Sequence, residues 1–200
     1  MKTRIPTQKL ILTAMFTALT CVGAFIKIPM LWSSFTLQIF FVFMAGVCLG
    51  PWYAMLSQIA YVLLGLIGLP IFTSGGGFSY IFQPTFGFLL SYIPAAWVVG
   101  KMTEKNWKVS HVVLSCIVGL AVIYAIGIPY MALILNVYLG QGMTVWGILW
   151  AGMIPFLPYD ALKIAATAIL SKPLVPALKK IEAGYSRRSR PRENTESTKE

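Results

Sequence analysis

From Leu10 to Gly100 this chain carries one charged side chain, Lys27. Each unpaired charge at the centre of a lipid-facing helix costs about 2.5 to 3.5 kcal/mol, so a run this long with a single charge is built for a bilayer. A helix rises about 1.5 Å per residue and the hydrocarbon core is about 30 Å thick, so one crossing takes about 20 residues. The run has room for about four crossings with their turns, and residues 109–171 have room for about two more. Composition agrees, since 58% of the 200 residues are apolar and only 11% are charged, a balance foreign to soluble domains. The fold class expected is all-α: a polytopic membrane protein of six transmembrane helices.

The net charge of +10 would suit a nucleic-acid binder, but the basic residues stand where the apolar segments end. Lys2, Arg4 and Lys9 precede the first segment, and Lys101, Lys105 and Lys108 fill the middle connection. Lys172, Lys179, Lys180 and an arginine-rich end follow the last segment. With six spans all of these groups lie on one side, as the positive-inside rule requires, which gives an N-in, C-in topology. No nucleic-acid partner is expected; membrane lipid is. Residues 1–180 are read as one membrane domain, and 181–200 as a basic, disordered cytoplasmic tail without apolar periodicity.

Helices are expected at about residues 8–26, 36–50, 52–68, 84–101 and 109–139, the last kinked at Pro129. Gly50 and Pro51 form a tight inner turn, because glycine ends a helix and proline starts one. Residues 71–83 form a glycine-rich outer loop. From Met143 to Leu170 two readings stay open: one tilted, kinked crossing, or a short interfacial helix before a span that starts near Pro158.

Catalytic and metal chemistry find no support. His111 is the single histidine, and Cys21, Cys48 and Cys116 all lie in apolar runs, so neither a metal site nor a disulfide framework is expected. Gly75, Gly76 and Gly77 lack the lysine and hydroxyl residue of a phosphate loop, so ATP hydrolysis would need another subunit. The informative residues are Asp160 and Lys163, which share a helical face at i, i+3. Buried charges in a membrane span face protein or water; they either lock the bundle as an ion pair or serve a polar ligand. The glycine loop permits close backbone approach, and Ser79, Tyr80, Gln83 and Thr85 follow it as hydrogen-bonding groups. Trp32 and Gln38 are further polar or interfacial candidates. Ala14, Thr17 and Ala18 put small residues on one face of the first helix, for packing inside the bundle or against a helix of another subunit.

Three stretches carry a resemblance: FTLQIFFVFMAGVCLGPWYAMLSQIAYVLLGLIGLP from Phe35 to Pro70, GLPIFTSGGGFSYIFQPTFGFLLSY from Gly68 to Tyr92, and PYDALK from Pro158 to Lys163. In this order and spacing, over nearly all of residues 8–180, they resemble the BioY biotin transporters. These are substrate-binding (S) components of energy-coupling factor (ECF) vitamin transporters. The resemblance implies a six-helix S-component fold in a bacterial plasma membrane that binds biotin from the outside and has no cofactor. It implies that the glycine loop covers the ligand, that Asp160 meets the ureido end and that Lys163 meets a ligand oxygen. It makes Ala14 and Ala18 the contact with a transmembrane coupling subunit, which two ATPase subunits complete. Two positions depart from the family pattern: Gln83 stands where a glycine is expected, and Tyr159 turns the commoner PGD into PYD. Uptake of another small vitamin, or a scaffold without ligand, are the alternatives.

Overall fold

The computed structural model describes residues 7–29 and 34–188, with side chains as far as Ile181. Helix α1 (Thr7–Phe25) leads into a short antiparallel hairpin of β1 (Lys27–Pro29) and β2 (Ser34–Thr36), in which Lys27 faces Thr36, Ile28 faces Phe35 and Pro29 faces Ser34. Helices α2 (Gln38–Leu49) and α3 (Pro51–Leu66) follow, then a loop with a 3-10 turn at Phe78–Phe82, and α4 (Phe86–Thr103). Helix α5 (Val109–Leu133) passes into a π turn at Ile134–Tyr138, and α6 (Val145–Gly152) precedes α7 (Leu157–Arg188).

The tight turn expected at Gly50 is present, and its backbone explains the residue. Gly50 has φ +78° and serves as both the C-cap of α2 and the N-cap of α3, an essentially glycine-only conformation that costs other residues about 1–3 kcal/mol. Pro51 fills the first helical position, where a missing N–H is no loss. The hairpin was not expected. Its backbone groups pair with each other across the two strands.

In the 143–170 region the structure shows a short helix broken from a longer one that starts at Leu157, the arrangement of helices in the second reading. Thr144 caps α6 by accepting from the Gly147 N–H at 3.2 Å, and Asn136 closes the preceding turn with two hydrogen bonds to Met143, at 2.7 and 2.9 Å. Proline lacks the N–H that a continuous helix needs, so Pro155 and Pro158 fall in a 3-10 turn and at the start of α7. Asp160 therefore stands in the first turn of α7. At its far end α7 runs to Arg188, into the stretch read as a disordered tail; residues 189–200 lie outside the described ones.

Apolar side chains point both ways, as a bilayer demands. Phe43, Tyr61, Phe72, Val99, Val112 and Ile123 are fully buried, while Ile11 and Val22 of α1, Leu114 and Ile117 of α5, and Leu162 and Ile169 of α7 are exposed. Four helical stretches are long and apolar enough to cross a membrane: Thr7–Phe25, Phe86–Thr103, Val109–Tyr138 and Val145–Ile181. Helices α2 and α3 have 12 and 16 residues, about 18 and 24 Å of rise.

Close helix contacts rest on small residues. A Cβ on Gly87 of α4 would lie 2.3 Å from the Tyr130 side chain of α5, and one on Gly127 of α5 would lie 2.4 Å from Phe88. At the α1–α3 contact the glue is polar: Thr17 donates to the Ser57 carbonyl at 3.0 Å and Gln58 donates to Thr20 at 3.3 Å. Thr17 is buried there, whereas Ala14 and Ala18 lie exposed on α1.

Candidate ligand-binding site

At the end of the bundle that carries the hairpin, a cavity of about 50 Å³ lies between α2, α4, α5 and α7. Asp160 and Lys163 of α7, Gln38 of α2, Tyr92 of α4 and Tyr124 of α5 line it, with Ser34, Thr36, Thr73 and Thr85 from the hairpin and the α3–α4 loop. Phe88, Leu89 and Phe156 supply apolar wall. The space holds a water or two, so a larger ligand must move these walls apart.

Asp160 is completely buried, and each carboxylate oxygen has one donor. Lys163 Nζ donates to Oδ1 at 2.8 Å, and the Tyr124 hydroxyl donates to Oδ2 at 2.5 Å. The spacing expected from the sequence thus becomes a real ion pair, with the Lys163 side chain only 10% exposed. An ionised carboxylate offers about four acceptor positions, and the two donors here occupy half of them. The pair is neutral as a unit. It has acceptor capacity left on Asp160 and donor capacity left on Lys163, beside a phenol and an apolar wall.

Gln38 is also buried, and its amide donates to the Tyr61 hydroxyl at 2.7 Å and accepts from Thr36 at 3.2 Å. Tyr61 in turn donates to the Ile71 carbonyl at 3.1 Å. The α3–α4 loop is tied down in the same way at two more carbonyls: Tyr130 donates to that of Ile81 at 2.5 Å, and Lys27 donates to that of Thr73. Three side chains from three elements thereby hold a loop that contains little regular structure of its own.

The expected site residues separate within this geometry. Asp160, Lys163, Gln38 and Thr85 share the cavity wall. Tyr80 is buried in the loop, where its hydroxyl meets that of Thr73 at 2.9 Å and its ring packs on Phe72. Gly75, Gly76 and Gly77 shape that loop: Gly75 and Gly77 have φ of +117° and +104°, and a Cβ on Gly76 would lie 2.0 Å from the Leu69 carbonyl oxygen. Ser79 and Gln83 are exposed and do not line the cavity. Tyr159 is likewise exposed, packed on Phe35 at 4.4 Å, and Trp32 lies outside the described residues. Sequence reasoning missed Tyr92, Tyr124, Thr36 and Thr73. The one signal for the tyrosines was a phenol within an otherwise apolar helix.

The opposite end of the bundle is chemically different. A cavity of about 220 Å³ there is lined by Lys9, the Gly50–Pro51 turn, Trp52, Tyr53, Glu104, Trp107 and Lys179. Lys179 lies 5.1 Å from the centre of the Trp107 ring and Lys9 5.3 Å from that of Tyr53, the mixture of lysine and amphipathic aromatic typical of a membrane–water boundary.

Three comparisons bear on what this architecture is. The solved structure of an S-component for biotin from an ECF-type ABC transporter superposes with a TM-score of 0.73, over 87% of this chain and 94% of that one, at 23% identity; this likeness establishes the S-component fold. The probable biotin transporter BioY of Lysinibacillus sphaericus is 41% identical over 179 residues, covering 88% of this chain and 91% of the relative. The biotin transporter BioY of Thermotoga maritima is 37% identical over 176 residues, covering 88% and 98%. The sequence pattern of the BioY family matches residues 1–180, and with these relatives alongside it the chain belongs to the BioY family.

Proposed function

We propose that this chain takes up biotin, capturing it from the outside in the cavity built around Asp160. It is a transporter subunit and not an enzyme, as its family is. The observation that carries the ligand assignment is the buried Asp160–Lys163 pair, set beside Tyr124 on a cavity wall. Biotin offers a fused bicyclic ring, apolar at the thioether, with two ureido N–H donors and one ureido carbonyl. Asp160 accepts from the N–H groups, Lys163 donates to the carbonyl oxygen, and Phe88, Leu89 and Phe156 enclose the thioether side. A neutral ligand group suits a neutral ion pair, because no new charge enters the low-dielectric interior.

The two ends of the molecule support the orientation. The lysine-rich cavity at Lys9 and Lys179 fits a cytoplasmic boundary and supports an orientation with both termini inside and the hairpin, the glycine loop and the Asp160 cavity toward the outside of a bacterial plasma membrane. In this reading all six long or medium apolar segments cross, with α2 and α3 reaching across the bilayer together with their flanking turns. Glycine turns at positions 75–77, with Ser79, Tyr80 and Gln83 beyond them, form the loop that covers the ligand. On α1 the exposed Ala14 and Ala18 meet a transmembrane coupling subunit, and two ATPase subunits complete the ECF module, since the chain holds no phosphate loop.

The test is titration of radiolabelled biotin into detergent-purified protein beside the Asp160→Asn variant. Wild type should bind saturably, and the variant should bind at least about 100-fold more weakly, the consequence of losing a charged acceptor that sits out of water. A folded wild type that ignores biotin removes the proposal; a folded variant that binds normally removes the site.

A further inference from the structure

Lys27 is the one charge between Leu10 and Gly100, and the Asp160 site does not use it. It sits in β1 opposite Thr36, and its ammonium donates to the Thr73 carbonyl across the gap between the hairpin and the α3–α4 loop. Thr36 and Thr73 both line the cavity whose other wall carries Asp160 and Lys163. Lys27 therefore bridges two segments that each contribute a threonine to the cavity wall. The lysines Lys9 and Lys179 mark the opposite end of the bundle, and Lys163 is committed to Asp160. Among the described residues, Lys27 is the lysine left beside the hairpin and the loop whose threonines line the cavity.

Biotin has two polar ends that need opposite treatment. Its ureido group is neutral and suits the neutral Asp160–Lys163 pair, but its valerate chain ends in a carboxylate. With the ring held at Asp160, that carboxylate comes toward the hairpin and loop, where it needs a cation. We propose that Lys27 binds the ligand carboxylate, so that the Asp160–Lys163 pair selects the ring and Lys27 selects the free acid. This inference rests on biotin being bound ring-first at Asp160. An ammonium carries three donors, so it can keep the Thr73 carbonyl while it takes the carboxylate. The charged acceptor is the stronger of the two. One residue would then both read the acid and draw the hairpin and loop together over it.

The experiment compares biotin with its neutral carboxamide, in wild type, Lys27→Gln and Lys27→Arg. Glutamine keeps an N–H for the Thr73 carbonyl but has no charge; arginine keeps the charge. Wild type should prefer biotin to biotin amide by about fivefold or more, the measure of a partly exposed ion pair. Lys27→Gln should bind the two alike, losing more affinity for biotin than for the amide, and Lys27→Arg should restore the preference. The inference is overturned if wild type binds acid and amide equally, if Lys27→Gln retains the preference, or if it loses both ligands in parallel, as a purely structural latch would. Wild type that binds neither compound removes the biotin reading and this inference together, an outcome distinct from equal binding of both.

Discussion

Asp160 joins a structural pairing to the proposed ligand contact. Its two oxygens are held by Lys163 and Tyr124, so removing Lys163 alone leaves a carboxylate in a low-dielectric interior with one neutral donor. Breaking a buried pair from one side costs about 3–5 kcal/mol, whereas replacing both partners by neutral groups of similar volume is often close to neutral. The Lys163→Met variant should therefore be destabilised by several kcal/mol in a thermal or denaturant melt. Asp160→Asn combined with Lys163→Met should return to within about 1 kcal/mol of wild type. That double variant should still fail to bind biotin. A stable double variant that binds at wild-type affinity would reduce the pair to a strut.

At the scale of elements, α1 divides its residues between two tasks. Thr17, Thr20 and Phe16 turn into the bundle, with Thr17 bonded to the Ser57 carbonyl of α3, while Ala14 and Ala18 remain exposed four residues apart on the same helix. Small residues let a second helix approach closely, and in a bilayer that approach is driven by packing, not by the hydrophobic effect. A tryptophan at Ala18 would hold any partner helix away without touching the cavity. Ala18→Trp should leave biotin binding by the purified subunit within about twofold of wild type, since the change is remote from the cavity, and should reduce biotin accumulation by intact cells at least about tenfold if transport depends on that contact. Normal accumulation would remove α1 from the proposed coupling interface. The α3–α4 loop is the converse case, an element held by groups outside itself. Its glycines allow the backbone path, but the carbonyls of Ile71, Thr73 and Ile81 are fixed by Tyr61, Lys27 and Tyr130.

For the whole molecule the decisive property is asymmetry between its ends: lysines and indoles line one cavity, and an internally neutral pair with hydroxyls lines the other. The proposed topology follows from this asymmetry and is directly measurable. In a background without Cys21, Cys48 and Cys116, a cysteine at exposed Ser79 should react with a membrane-impermeant maleimide added to intact cells. One at exposed Lys105 should react only after the membrane is opened. The reverse pattern would invert the molecule. Much of this architecture could be read from the chain itself. Charge spacing marks the membrane segments, Gly50–Pro51 marks a turn, and the spacing of Asp160 and Lys163 gives their shared face, because each is a local consequence of helix geometry and the insertion cost of charge. The break before Pro158 stayed ambiguous, because proline allows both a kink and a stop, and only caps and packing choose between them. The hairpin, the phenol of Tyr124 on Asp160, and the bond from Lys27 to the Thr73 carbonyl were decided by the tertiary structure alone. Their partners lie far away in sequence, and no local pattern records which side chains the folded chain brings together.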